Sequence, residues 1–185
     1  ATNTQNITFG TATTIAGPIT ATGGTIAING ALTATNSTIN LTASTAVTQT
    51  GAITATNLAL AGAGAFTLTN TSNTIGTLAG GTTGSRLGSL SFTDASGGLT
   101  LGTVGAASGL YATGDVLVET LSGDINLTEP VNTTSNTTTA TGYAGAIVLN
   151  AGKTAAAGTA AGGDIKVTGN GAISAANGIA KLYSG

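Results

Sequence analysis

The chain repeats itself at an interval near twenty residues, and no other feature constrains its fold as strongly. Ile19, Ile39, Leu58, Leu78 and Leu99 are separated by 20, 19, 20 and 21 positions. A second column, Ile26, Val47, Leu68 and Leu87, steps by 21, 21 and 19, and a third, Leu32, Ile53 and Ile75, by 21 and 22. Near the C-terminus, Gly-x-Ile units at Gly123, Gly145 and Gly163 step by 22 and then 18. Columns in step describe a coil with three inward faces, each turn stacked on the one before.

Within each turn the aliphatics come in pairs around one small or polar residue, as in Ile26/Ile28, Leu58/Leu60, Val116/Val118 and Ile147/Leu149. A period of two puts both members of a pair on the same face of a strand. Asn29-Gly30, Asn36-Ser37, Gly123-Asp124 and Asn170-Gly171 fall between the pairs, and these residues tolerate the left-handed backbone of tight corners. Helix is poorly supported, because Thr, Gly and Asn have weak helix propensity and no spacing of three and four persists. The expected fold is all-β: a right-handed parallel β-helix, or β-solenoid, with about 20 residues per coil and roughly nine coils. Residues 1–185 read as a single segment of it, and the absence of an initiating Met or an apolar leader suggests an internal piece of a longer chain. Residues 132–144, nearly all Thr, Asn, Ser and Gly, and 151–162, nearly all Ala and Gly, lack core aliphatics and read as surface excursions.

Composition narrows the function. Only 5% of the residues are charged, and there is no Cys and no His. That removes disulfides, thiol nucleophiles, imidazole bases and ordinary zinc sites, so the chain does not read as an enzyme and implies no cofactor. Four basic residues against six acids cannot neutralise a run of phosphates, which excludes nucleic acid as a main partner. No stretch of about 18 apolar residues exists to make a membrane-spanning helix.

The units Thr38-Ile39-Asn40-Leu41-Thr42, Gly123-Asp124-Ile125-Asn126-Leu127-Thr128 and Gly163-Asp164-Ile165-Lys166-Val167-Thr168 resemble the β-helix repeats of large secreted bacterial exoproteins of the filamentous-haemagglutinin type. The closing Gly178-Ile179-Ala180-Lys181-Leu182-Tyr183-Ser184-Gly185 resembles the joins between modules of such adhesins. The resemblance covers nearly the whole chain and is one of composition and period. It implies an extended rod, secreted by a two-partner system to the cell surface or beyond, with roles in adhesion, fibre assembly or biofilm. The implied partners are neighbouring copies or flanking repeats stacked end to end, and cell-surface glycans or proteins.

Three sets of residues are candidate sites. Asp94 and Asp115 lie 21 positions apart, one expected coil, where two carboxylates either share a calcium ion or stand as solvated neighbours. Carboxylate pairs also serve glycoside hydrolysis, but the 3 Tyr and 3 Phe are few for a saccharide-cleaving groove. Thr11-Ala12-Thr13, Thr33-Ala34-Thr35 and Thr54-Ala55-Thr56 step by 22 and 21, so Thr11, Thr13, Thr33, Thr35, Thr54 and Thr56 could form a ladder like that of ice-binding solenoids. Thr is also a common outward residue in strands, which leaves both readings open. Of the Asn-x-Ser/Thr acceptors, Asn132 and Asn136 fall in an expected excursion. Arg86, the single arginine, reads as a solvated corner.

Overall fold

A computed structural model describes residues 5–95, 98–138, 145–156 and 162–185. Among these residues there is no helix, and seventeen of nineteen strands join one sheet whose pairings are all parallel. The fold is a parallel β-solenoid.

One inward column runs through eight rungs: Ile7, Ile26, Val47, Phe66, Leu90, Val116, Ile147 and Ala180. It steps by 19, 21 and 19, then by 24, 26, 31 and finally 33. The early coils keep the expected interval and the later ones lengthen, so eight rungs form among the described residues where roughly nine are expected. A second column joins Ile19, Ile39, Leu58, Leu78, Leu101, Leu127 and Val167. A third position, two residues further along in the early coils, joins Ala21, Leu41, Leu60, Gly80, Leu110, Val131 and Ile173.

All twelve aliphatics of the sequence columns are buried, but the later ones change partners. Leu101, not Leu99, continues the Leu78 column; Leu99 pairs with Ile125. Phe66 takes the place expected for Leu68, which pairs with Phe92, and Leu90 takes that of Leu87, which bridges to Ala112. Ile75 lies beside Ala55, not Ile53. The cause is arithmetic: a coil shorter or longer than the assumed interval displaces the next rung, as the step of 19 from Val47 to Phe66 and the steps of 24 from Phe66 to Leu90 and 23 from Leu78 to Leu101 do. By the same cause the Gly123 and Gly163 units belong to successive rungs, through Ile125 and Ile165, while Ile147 belongs to another face.

The surplus residues of the fourth and fifth coils go into two excursions. Gly81, at φ 65°, turns the chain out of its rung beside Gly80. At Gly80 a side chain would crowd Leu87, Leu60 and Leu110, so the missing Cβ is what lets Leu87 and Leu110 fill the core there. Between Leu101 and Leu110 the chain makes a small antiparallel hairpin, Thr103–Val104 with Ala107–Ser108, and returns through Gly109 at φ 85°. The expected excursion at 132–144 begins later, because Val131–Thr133 is a rung strand paired with Leu110–Ala112 and Ile173–Ala175. Similarly Ala151 closes the strand Ile147–Ala151 and Gly152 is buried. Residues 139–144 and 157–161 of the two expected excursions lie outside the described residues.

Candidate functional site

Asp94 and Asp115 do not meet. The coil that joins Leu90 to Val116 is longer than the early interval, so Asp94 pairs with Thr120, and Asp115 lies one strand position before Val116, the partner of Leu90. Asp94 is fully buried and its Oδ1 accepts the backbone N–H of Ile75 at 2.9 Å. Asp115 is exposed and accepts the hydroxyls of Ser135 and, at 2.8 Å, Thr137. Both carboxylates are thus committed to backbone or hydroxyl donors in different places, and no group of three acidic residues that could hold a metal ion exists among the described residues.

The threonine ladder exists in altered register. Thr33 and Thr54 pair as expected, Thr14 rather than Thr11 precedes them, and Thr74 extends the column to four rungs. Thr13 instead pairs with Leu32, and Thr11 lies before the strand Thr13–Ile15, outside the ladder, with its carbonyl accepting the Thr13 hydroxyl at 3.3 Å. Thr35 and Thr56 form no matching second column. The register shifts between Ala34 and Thr38, where Asn36 adopts φ 50°, and the Ala55–Ile75 pair brings Gly76 alongside Thr56. The Asn132 acceptor lies in a rung strand with its side chain half-buried, and Asn136 is exposed.

Two ion pairs mark the outer surface of the later coils. Lys153 Nζ lies 2.8 Å from Glu119 Oε2, and Glu119 is buried. Lys166 pairs with Asp124, whose other oxygen accepts the Asp164 backbone N–H at 2.9 Å. The hydrogen bond from Lys166 holds the Asp124 carboxyl below its ordinary range, helped by the Asp164 N–H, and the same contact raises Lys166. This second pair is exposed at a corner, so it tunes the surface and contributes little to stability.

A third polar feature lies where the two excursions converge. The ring of Tyr111, on the rung after the hairpin, has the Arg86 guanidinium carbon 5.6 Å from its centroid. Arg86 Nη1 donates to the carbonyls of Ala112 at 3.1 Å and Asn132 at 3.4 Å, tying the 81–86 excursion to the next two coils. Beside the ring, Thr82, Thr83, Ala106 and Ser108 complete a hollow of about 190 Å³. Sequence reasoning missed this site because the separation of Arg86 and Tyr111 along the chain matches no multiple of the early interval. An arginine in a chain with so few charges was the available signal.

Among the described residues the two end rungs expose apolar side chains. At one end Ile7 and Phe9 are half-buried and Ile15 is 43% exposed; at the other, Val167 and Leu182 are 53% and 52% exposed. No helix of the described residues is long and apolar enough to cross a membrane. Comparison with known protein families, with curated proteins and with solved structures finds no match to this chain.

Proposed function

We propose that the chain is a structural and adhesive β-solenoid module of a secreted or surface-anchored bacterial filament, of the filamentous-haemagglutinin type, which supplies reach and contact. The carrying observation is the eight-rung column, one unbroken parallel stack about 34 Å from first rung to last at roughly 4.8 Å per step. Stability in such a stack is the sum of neighbouring rung contacts, so length can be extended without redesigning a core. The end rungs, whose outermost strands pair with one neighbour each among the described residues and which expose aliphatics, suit continuation by flanking coils or by another copy. The reading assigns the module no catalysis, in keeping with a chain that has no His and no Cys.

Two measurements test it. Beads coated with the protein should be retained on glycan-bearing or bare surfaces against flow, and sedimentation should show end-to-end association that rises with concentration. Beads that wash off every surface, from a protein that stays monomeric, would overturn the reading.

The column Thr14, Thr33, Thr54 and Thr74 favours ice binding as a second reading. That activity needs a flat array repeated in two directions, and the neighbouring column is interrupted at Asn36 and Gly76. Thermal hysteresis that disappears in Thr33→Tyr would place it first.

A further inference from the structure

The strand Ile165–Val167 keeps one edge free among the described residues. It pairs with Ile125–Leu127 on one side, and its Val167 is exposed. A hollow of about 450 Å³ is lined by Asp164, Ile165 and Lys166 of this segment and by Leu182, Tyr183 and Ser184 of the strand Ala180–Ser184. A strand paired on one side offers its remaining N–H and C=O groups to another chain. Asp164 and Lys166, both exposed, flank Ile165 and leave the strand on its outer face. This corner already pairs charges across rungs. Lys166 bonds Asp124, which stands in register with Asp164, and the Asp164 N–H donates to Asp124 Oδ1 at 2.9 Å. One rung earlier Gly98 takes the acid's place, and Asn126 takes the cation's. The lysine thus stands where the neighbouring rung carries an acid, and Asp164 puts the same acid on the free edge.

The shape of the coil decides which surface fits this edge. Ile19 and Ala21 sit two positions apart on one strand, but Val167 and Ile173, which continue their columns, are six apart on separate strands. A turn from Thr168 to Gly171 divides them. A second copy that presented its first rung would therefore meet a coil of different shape, whereas one that presents this same rung meets an identical coil. Charge then selects the register of an antiparallel pair that keeps the aliphatics facing inward. A register centred on Asp164 opposes two acids, and one centred on Lys166 opposes two cations. Centred on Ile165, the pair sets each Asp164 opposite the copy's Lys166 and brings the two isoleucines together. Opposite charges across a strand pair stabilise it and like charges destabilise it.

We propose that this edge is an isologous contact between two copies of the chain, in which Ile165–Val167 pairs antiparallel with itself about Ile165 and each Asp164 meets the copy's Lys166. Lys166 then lies between Asp124 of its own chain and Asp164 of the copy. The inference rests on the end-to-end association in the adhesive reading and deepens it, because a self-complementary edge closes at a pair and does not propagate a fibre.

Sedimentation of the whole chain at low salt, over a wide range of concentration, should show a monomer–dimer equilibrium. Asp164→Lys and Lys166→Asp each oppose like charges in this register, so each alone should weaken self-association about tenfold or more. Mixing the two variants restores opposite charges at both contacts, and the mixture should form a mixed dimer with about the wild-type affinity. Asp164 enters the stack through its backbone N–H and carbonyl, so Asp164→Lys judges the proposal even if Lys166→Asp, which also loses the Asp124 pair, melts early. A wild type that stays monomeric, single variants that associate as well as the wild type, or two folded variants that do not pair when mixed overturns the proposal. A monomeric wild type whose coated beads still hold to surfaces would reject this edge and leave the adhesive reading standing.

Discussion

Asp94 Oδ1 accepts the backbone N–H of Ile75 at 2.9 Å, one coil after Asn73 Oδ1 accepts that of Ile53 at 2.8 Å. In both places a side-chain oxygen stands where the next strand would have supplied a carbonyl. Asn73 also donates to the carbonyls of Leu68 and Thr93, at 3.2 and 3.0 Å, so one fully buried amide serves three coils. These residues let the coil change length without leaving the backbone unsatisfied, since a buried unpaired N–H costs about 1–3 kcal/mol.

Asp94→Asn keeps an acceptor for Ile75, whereas Asp94→Leu removes it. The expected result is that Asp94→Leu is less stable than Asp94→Asn by about 1–3 kcal/mol in urea denaturation. Equal midpoints with equal slopes would show that the bond carries no net stability.

Ile39 is fully buried in its column, while its neighbour Asn40 is only partly covered and its amide reaches Thr20 Oγ1 at 3.4 Å. An unpaired carboxylate at Ile39 enters an apolar stack, so Ile39→Asp should abolish the cooperative thermal transition. Asn40→Asp stays at the surface and should change stability by no more than about 0.5 kcal/mol. Circular dichroism melts separate the two.

These two residues also show what the sequence discloses. Ile39 is legible because its neighbours at Ile19 and Leu58 stand one early coil away, and where the coils keep one length, period and register are the same thing. Leu99 fails as the next rung because a fixed interval cannot follow the lengthened coils on either side of Leu90. Asp94 misleads for another reason. A buried acid whose partner is a backbone N–H of a different coil has the same local sequence as a solvated corner. Its distance from Asn73, one early coil, was the only hint of the shared role. The contact of Arg86 with Tyr111 depends on excursions whose conformation no periodicity specifies.

Because Asp94 and Asp115 are apart and separately engaged, calcium has no shared pair to bridge. Millimolar calcium should leave the melting temperature unchanged, as a ligand stabilises only by binding the folded state. A rise that Asp115→Asn removes would require a different arrangement of this corner.

The Asp124–Lys166 pair sets a pH dependence of known sign. The folded pKa of Asp124 is lowered, so its contribution is present above about pH 4, the unfolded value, and is lost as pH falls through the folded one. The folded pKa of Lys166 is raised, so its contribution is present below about pH 10 and is lost as pH rises through the folded value. Melting curves of the wild type and Asp124→Asn should differ slightly near neutrality, converge in acid below Asp124's folded pKa, and draw together in high salt, which screens exposed pairs. Curves that stay parallel into acid would remove the pair from the account.

Gly109 and Gly105 both hold positive φ, at 85° and 60°, but their surroundings differ. A Cβ at Gly109 would collide with the Pro130 carbonyl oxygen, because the hairpin rejoins its rung there under direct backbone contact with the next coil. At Gly105, on the hairpin tip, an added Cβ meets nothing within 4 Å. Gly105→Ala therefore costs only the left-handed backbone, about 1–2 kcal/mol, because its place on the hairpin tip has room for the added methyl. Gly109→Ala adds a steric conflict between backbones that no side-chain rotation relieves, and it should displace the Leu110–Val131 rung. The expected order of urea midpoints is wild type, Gly105→Ala, then Gly109→Ala well below. Hydrogen exchange should show the loss spreading from Leu110 into Val131 in Gly109→Ala alone. If the two alanine variants unfold together, the hairpin's return is not fixed by that contact.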